Sequence, residues 1–163
     1  MASIFATAKA SVSISATSAP PTTFDAAGYG ALTFKKICPL QSIGEFGTSF
    51  EDVTFDDICT GNRVKIKGIN DNGEFDVVCG FDDTNEGQTV AVTAAKDTST
   101  ADWHFKVTFP NKQNATGTDA IFYFSGKVMS ARNTPGEASA VVTRTFTVGI
   151  NTEIVEVKST AGI

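Results

Sequence analysis

The sequence predicts a mainly β protein, a two-sheet antiparallel β-sandwich with one packed α-helix. Two long alternating segments near the C-terminus carry most of that expectation. In 119–133, Ala120, Phe122, Phe124 and Val128 fall on one face. In 139–150, Ala140, Val142, Phe146 and Val148 do the same, while Ser139, Thr143, Thr145 and Thr147 line the other. A period of two means strand, because successive side chains of a strand point to opposite faces. Joined through Asn133-Thr134-Pro135-Gly136, the two make a long hairpin with a greasy face and a hydroxylated one. Such a hairpin belongs to a sheet with core on one side and water on the other. Composition agrees: 13 phenylalanines stand against two tyrosines and one tryptophan, which fits strands around an aromatic core.

The remaining elements follow in chain order. Residues 1–23 are rich in Ala, Ser and Thr and end at Pro20-Pro21. Val12 and Ile14 alternate with Ser11, Ser13 and Ser15, which suits either a short edge strand or an N-terminal arm. Residues 29–37, with Leu32, Phe34 and Ile37, predict a short strand. Residues 41–60 hold few apolar anchors and many breakers, among them Gly44, Gly47, Asp52, Asp56 and Asp57. They read as a long loop, and a loop of about twenty residues inside a compact domain is usually functional.

A second hairpin is expected over 62–81. Val64 and Ile66 oppose Arg63, Lys65 and Lys67; Phe75, Val77, Cys79 and Phe81 oppose Glu74 and Asp76. A turn at Asn70-Asp71-Asn72-Gly73 pairs Ile66 with Val77, Val64 with Cys79 and Lys67 with Asp76. A one-residue slip would set every apolar residue against a polar one. Residues 83–97 read as the helix, with Asp83 as N-cap, Glu86 three residues on, and Lys96 near the negative end of the dipole. The stretch Thr89–Ala95 also suits a strand. Trp103, Phe105, Val107 and Phe109 alternate with Asp102, His104, Lys106 and Thr108 until Pro110 stops that strand. Residues 110–118 are a polar loop, and 152–158 form a last strand anchored by Ile154 and Val155.

Length and composition bound the function. With 163 residues, 41% hydrophobic and 19% charged, the chain is expected to be one globular domain. A net charge of −5 argues against binding DNA through a clustered basic footprint. Cys38, Cys59 and Cys79 form no CxxC, and the lone His104 has no partner at metal-ligand spacing, so reduced thiols and no metal are expected. Residues 1–24 lack the apolar core of a signal peptide, and no run approaches a membrane span, so no membrane partner is expected. The sequon at Asn114 therefore carries little weight. The run Asn70–Glu74 has calcium-loop flavour, but Gly68 and Cys79 fall where acidic ligands belong. The acidic pairs Glu51-Asp52, Asp56-Asp57 and Asp82-Asp83 are adjacent residues that do not converge on one substrate atom. No nucleophile elbow or phosphate loop is present, so neither enzymatic activity nor a cofactor is expected.

What remains is an edge problem. Long strands leave unpaired N–H and C=O groups at a sheet margin, and 119–133 and 139–150 carry few devices that would blunt them. The expectation is an oligomer in which sheets run from one chain to the next.

Three phrases also carry a family resemblance. They are FDAAGYGALTFKKICPLQSIGEFGTSFEDVTF over 24–55, RVKIKGINDNGEFDV over 63–77, and a short helix beginning near Glu86-Gly87-Gln88, followed by an aromatic strand and the long terminal hairpin. Over roughly residues 24–158 the chain resembles the major tail tube proteins of long-tailed bacteriophages. The resemblance implies a structural virion protein made in the host cytoplasm. Its subunits would form hexameric rings stacked into a tube, with an inner wall to which each subunit gives four strands. DNA would pass through without specific binding. Partners would be copies of the chain, a tape-measure protein, and tail tip and terminator proteins. By that analogy the hairpins 62–81 and 119–150 supply the wall. Lys65, Lys67, Glu74, Asp76, Ser139, Thr143, Thr145 and Thr147 are then candidates to line the channel. The loop 41–60 becomes the inter-ring stacking loop, with Ser42, Ile43, Gly44, Glu45, Phe46, Gly47, Glu51 and Asp52 as its contacts. A carbohydrate- or receptor-binding β-sandwich is the alternative, weakened because Trp103 and Tyr123 lie inside alternating strands. A hydrolase built from dispersed loops is a third.

Overall fold

The computed structural model describes residues 4–163. It contains ten strands and two helices among those residues. In chain order they are β1 (Ser11–Ser15), α1 (Ala26–Gly30), β2 (Phe34–Lys36), β3 (Leu40–Ile43), β4 (Ser49–Asp57), β5 (Asn62–Asp71), β6 (Glu74–Gly80), α2 (Glu86–Lys96), β7 (Trp103–Phe109), β8 (Ala120–Thr134), β9 (Thr143–Ile150) and β10 (Val155–Val157). The architecture is mainly β and antiparallel, as the alternation predicts.

One eight-stranded sheet runs β2-β1-β7-β8-β9-β6-β3, with β10 also paired to β8. β8 is the strand that makes two layers of it. Its first half pairs with β7, from Phe109↔Ala120 to Trp103↔Gly126. Its second half pairs with β9, from Gly126↔Ile150 to Thr134↔Thr143. Gly126 sits at the handover, and a Cβ there would lie 2.0 Å from the Gly149 carbonyl oxygen. Only glycine permits that approach. The halves face each other across one core: Val12, Ile14, Phe105, Val107 and Phe124 on one side, Phe75, Val77, Phe146 and Val148 on the other. Phe75 meets Phe124 edge-on at 5.5 Å, and Phe105 stacks on Phe124 at 5.6 Å. Such pairs add about 1 kcal/mol each beyond their buried area.

β8 and β9 form the expected hairpin, with one change. β9 starts at Thr143, so Ser139, Ala140 and Val142 belong to the connection instead of the strand. The core face of β8 carries Ala120, Phe124 and Val128 as predicted. A bulge between Val128 and Ser130 then flips the parity, and Ala131, opposite Phe146, takes over the core side.

The hairpin expected over 62–81 does not exist. β6 pairs with β9 along its length and with β3 on its other side. β5 pairs with β4, so Val64 and Ile66 face Phe55 and Val53, and not Cys79 and Val77. The segment 41–60 is thus mostly strand. β3 continues through Gly44–Thr48 into β4, turns at 58–61 and returns as β5 and β6. Asn72-Gly73, which was expected to reverse the chain, only bends it; Gly73 has φ +71°. Both registers match apolar with apolar, so alternation could not separate them.

The N-cap of α2 is Asn85, not Asp83: the Asn85 side chain accepts from the Gln88 N–H at 2.9 Å. Gln88 is fully buried and donates to the carbonyls of Cys38 and Gly80. It ties the helix to the ends of β3 and β6. β1 is an inner strand between β2 and β7, and the expected strand over 29–37 is α1 followed by β2.

Candidate functional site

Each end of the sheet path around β9 is an open margin. Among the described residues, β3 hydrogen-bonds to β6 on one side and to no strand on the other, where Thr7–Ala10 lie across a hollow from it. Beyond Gly126, the second half of β8 likewise has β9 on one side only. A cleft of about 510 Å³ follows that margin, between α2 and β8, lined by Val92, Ala95, Lys96, Met129, Ala131 and Asn133. The strands β3-β6-β9-β8 thus form a four-stranded unit with a backbone edge at each side, the geometry by which sheets add strands.

The face of this unit away from the core is polar. Thr143, Thr145 and Thr147 of β9 stand opposite Thr134, Arg132 and Ser130 of β8. On the other side they stand opposite Gly80, Val78 and Asp76 of β6. Directly paired residues share a face, so Glu74 and Asp76 join the threonines there. The Thr147 hydroxyl donates to Asp76 at 2.7 Å. Ser42 extends the face onto β3, opposite Val78. Among the residues expected on one surface, Glu74, Asp76, Thr143, Thr145 and Thr147 come together. Ser139 lies in the connecting loop, and Lys65 and Lys67 lie on another element. The mixed patch expected from Lys65, Lys67, Glu74 and Asp76 is therefore not formed. Ser130, Arg132 and Thr134 were missed; their alternation with Ala131 was visible, but the bulge at Met129 hid which face they share.

The second surface is the hairpin β4–β5, a separate two-stranded sheet. Nearly every residue of it is exposed. Val53 pairs with Ile66 and Phe55 with Val64, making one apolar face. These four are 44%, 55%, 61% and 47% exposed in the order named. The opposite face pairs Asp52 with Lys67, Thr54 with Lys65 and Asp56 with Arg63. Arg63 grips Asp56 with two hydrogen bonds of 2.6 and 3.0 Å, which holds the Asp56 carboxyl below its ordinary range. Lys67 lies over the Phe50 ring at 4.7 Å. At the tip, Asp57 accepts from the Cys59 N–H and the Thr60 hydroxyl, and these bonds lower its pKa. Of the expected loop contacts, Glu51 and Asp52 lie on this hairpin, while Ser42 and Ile43 lie in β3. Gly44, Glu45, Phe46 and Gly47 join the two. Phe46 turns inward and packs on Phe75, Phe122 and Phe124. It anchors the root of the hairpin and is half-buried there.

The other chemistry-bearing residues are spent inside. His104, expected on the polar face of its strand, is 2% exposed because residues 16–31 cover that side of β7. Its Nε2 meets the Ala19 carbonyl at 2.9 Å, an acceptor, so Nε2 carries the proton. Nδ1 then accepts from the Ser125 hydroxyl at 2.7 Å, and Ser125 accepts from Tyr29 at 2.8 Å. Burial pushes the His104 pKa down, against the Ala19 carbonyl and Asp102, which raise it. Burial likewise pushes the Cys79 thiol up to about 11. Of the other cysteines, Cys38 is half-buried and Cys59 is exposed at the hairpin tip. Among the described residues, no cluster of His, Cys, Asp or Glu could hold a metal, and no helix is long and apolar enough to cross a membrane.

No known family model matches the chain, and no curated protein matches it by sequence. Solved structures do. A chain of the sheath/tube terminator of an extracellular contractile injection system, PVC, is similar with a TM-score of 0.69 and 12% identity, over 96% of this chain and 98% of that one. The SPP1 tail tube is similar with a TM-score of 0.64 and 12% identity, over 94% of this chain and 77% of that one. A chain of the native gene transfer agent virion gives 0.57 and 14% identity, over 76% and 88%. At such identities the likeness is one of fold, and it bears out the resemblance read from the sequence: this chain has the fold found in tail tubes and in the tube terminators of contractile injection systems.

Proposed function

We propose that the protein is a structural subunit of a phage or phage-like tail tube, assembling with its own kind into hexameric rings stacked around a channel. The observation that carries this reading is the four-stranded unit β3-β6-β9-β8, polar on its outer face and open at both margins. Joining the β8 margin of one copy to the β3 margin of the next would close a barrel with no free edge. The cleft beside α2 leaves room for the incoming strand. The threonines, Ser42, Ser130, Glu74, Asp76 and Arg132 would then line the channel. Two carboxylates against one guanidinium give that wall a small negative excess, repeated around the ring. This disfavours phosphate over a Debye length of about 8–10 Å. DNA would pass without sticking, and a tape-measure protein would occupy the space beforehand. Tip and terminator proteins would cap the tube, placing the subunit in a virion tail after synthesis in the host cytoplasm.

Light scattering over a concentration series, with negative-stain imaging, tests the reading. The expected result is rings or tubes with a central channel. A protein that stays a monomer at every concentration would refute it.

A further inference from the structure

The β3 margin is unpaired but not bare. β1 and β2 pair antiparallel, Ser13 with Lys36 and Ser15 with Phe34, and the Ile37 N–H donates to the Val12 carbonyl at 2.9 Å. Continued past Ile37, that register brings the residues before β1 alongside β3, with Lys9 beside Leu40 and Thr7 beside Ser42. The structure has them there. Thr7, Ala8, Lys9 and Ala10 line one wall of a hollow of about 190 Å³, and Leu40–Ile43 line the other. Among the described residues, no backbone hydrogen bond crosses the gap.

One residue keeps the two segments apart. Lys9 has φ +73°, and the Ala10 N–H closes a turn on the Thr7 carbonyl at 2.9 Å. The third position of a type II turn takes that φ and favours glycine, so a lysine there is strained. Extended, the same residues would continue β1 and bond to β3. Beyond the turn, Phe5 rests on Phe109 with ring centroids 6.0 Å apart, beside Phe46 and Phe122. Phe5 is still 42% exposed and Ile4 99%, so the anchor is a partial one.

We infer that Ile4–Ala10 is a removable guard, which shadows the β3 margin of a free subunit and is displaced when the β8 strand of a second copy pairs there. This rests on the tube reading and deepens it by naming what restrains a subunit before its neighbour arrives. A bare margin invites pairing with any strand that meets it. A segment fully bonded to β3 would spend the margin on its own chain. A kinked segment held by one half-buried ring does neither: it covers the margin and is cheap to move. Its effect follows mass action. A subunit pairs only in the fraction of time that the guard is away, so the concentration needed for assembly rises by the inverse of that fraction.

The test uses the full chain and three single substitutions. Each is followed by thermal unfolding, and by light scattering for the concentration at which rings or tubes appear. Phe5→Ser removes the anchor. It should keep the parent's melting temperature and lower the threshold concentration about fivefold, the worth of a half-buried phenylalanine contact. Lys9→Val disfavours the kink, because a β-branched residue at positive φ is a genuine outlier. The segment should then extend onto β3, slow amide exchange in Leu40–Ile43 and raise the threshold about tenfold or more. Lys9→Gly accepts the kink without strain and should assemble as the parent does. Phe5→Ser assembling at or above the parent's threshold would overturn the inference, as would Lys9→Val assembling like the parent. A Lys9→Gly chain that copies Lys9→Val would also overturn it, by tying the effect to the lost charge. In each case the parent's own rings leave the tube reading standing; a parent that forms none would remove both.

Discussion

β9 and the hairpin β4–β5 alternate with the same rhythm and meet opposite fates. In β9, Phe146 and Val148 are 1% exposed, lying beside Phe75 and Val77 on the layer that faces Phe105 and Phe124 across one core. In the hairpin, Phe55 is 61% exposed and Ile66 55%. A period of two reports that a strand has two faces. It does not report what covers the apolar one. For β9 the cover is the other layer of the same chain, so its pattern contributes to the stability of the subunit. For β4–β5 the cover must come from elsewhere, so its pattern contributes to association.

Proline separates the two most sharply. Thr145 lies in β9 with Arg132 on one side and Val78 on the other. A strand paired on both sides does not tolerate loss of a ladder N–H. Thr145→Pro should abolish cooperative thermal unfolding altogether. The same change at Thr54, in the hairpin, should leave the melting temperature within about a degree of the parent and prevent tube growth. A folded Thr145→Pro subunit would mean that β9 is not the inner strand described.

Truncation gives a graded version. Phe124 is fully buried and packs against Phe46, Phe75 and Phe105. Phe124→Ala should cost about 3–5 kcal/mol in denaturant unfolding. Phe55→Ala removes the same atoms from a surface and should change subunit stability by less than about 0.5 kcal/mol. A loss above about 2 kcal/mol at Phe55 would show that the hairpin folds back onto its own subunit.

The sequence revealed β7, β8, β9 and β10 because each stands alone between clear stops, such as Pro110 and Pro135-Gly136. It concealed β3 and β4 because their faces are filled unusually. Asp52, Thr54 and Asp56 read as loop residues, yet they face Lys67, Lys65 and Arg63 across a ladder. The pairing of β5 could not be chosen either, since Val64 and Ile66 find apolar partners in both registers. Only the two edges of β6, already occupied by β9 and β3, exclude the local hairpin, and that is a fact of topology. The threonine face was legible from parity. Ser130, Arg132 and Thr134 were not, because one bulged residue reverses the parity midway along β8. His104 looked exposed because nothing in β7 shows that residues 16–31 fold over it.

His104 predicts a smaller and conditional effect. Its pKa in the fold lies below the ordinary value near 6.5, so the unfolded chain binds the proton more readily. The stability that this histidine contributes is present above that value. It is lost as pH falls from about 6.5 through the folded pKa, because protonated Nδ1 can no longer accept from Ser125. The melting temperature should therefore drop between pH 7.5 and 5.5, and His104→Gln should flatten that slope. A slope that survives His104→Gln would move its origin to other groups. The lowered carboxylates of Asp25, Asp82 and Asp97 add their own loss only below about pH 4, where they too take up protons.

The charged face of the hairpin should matter least. The Asp56–Arg63 pair has good geometry, but its side chains are 65% and 63% exposed. Water and salt screen such a pair, and fixing two long side chains costs entropy. Asp56→Asn should leave the subunit's melting curve indistinguishable from the parent's, in low and in high salt. The apolar face a few ångströms away should govern assembly, so Asp56→Asn should still build tubes at the parent's threshold concentration. Tubes that require the Asp56 charge would reverse that order and make the polar face of β4–β5 the one that docks.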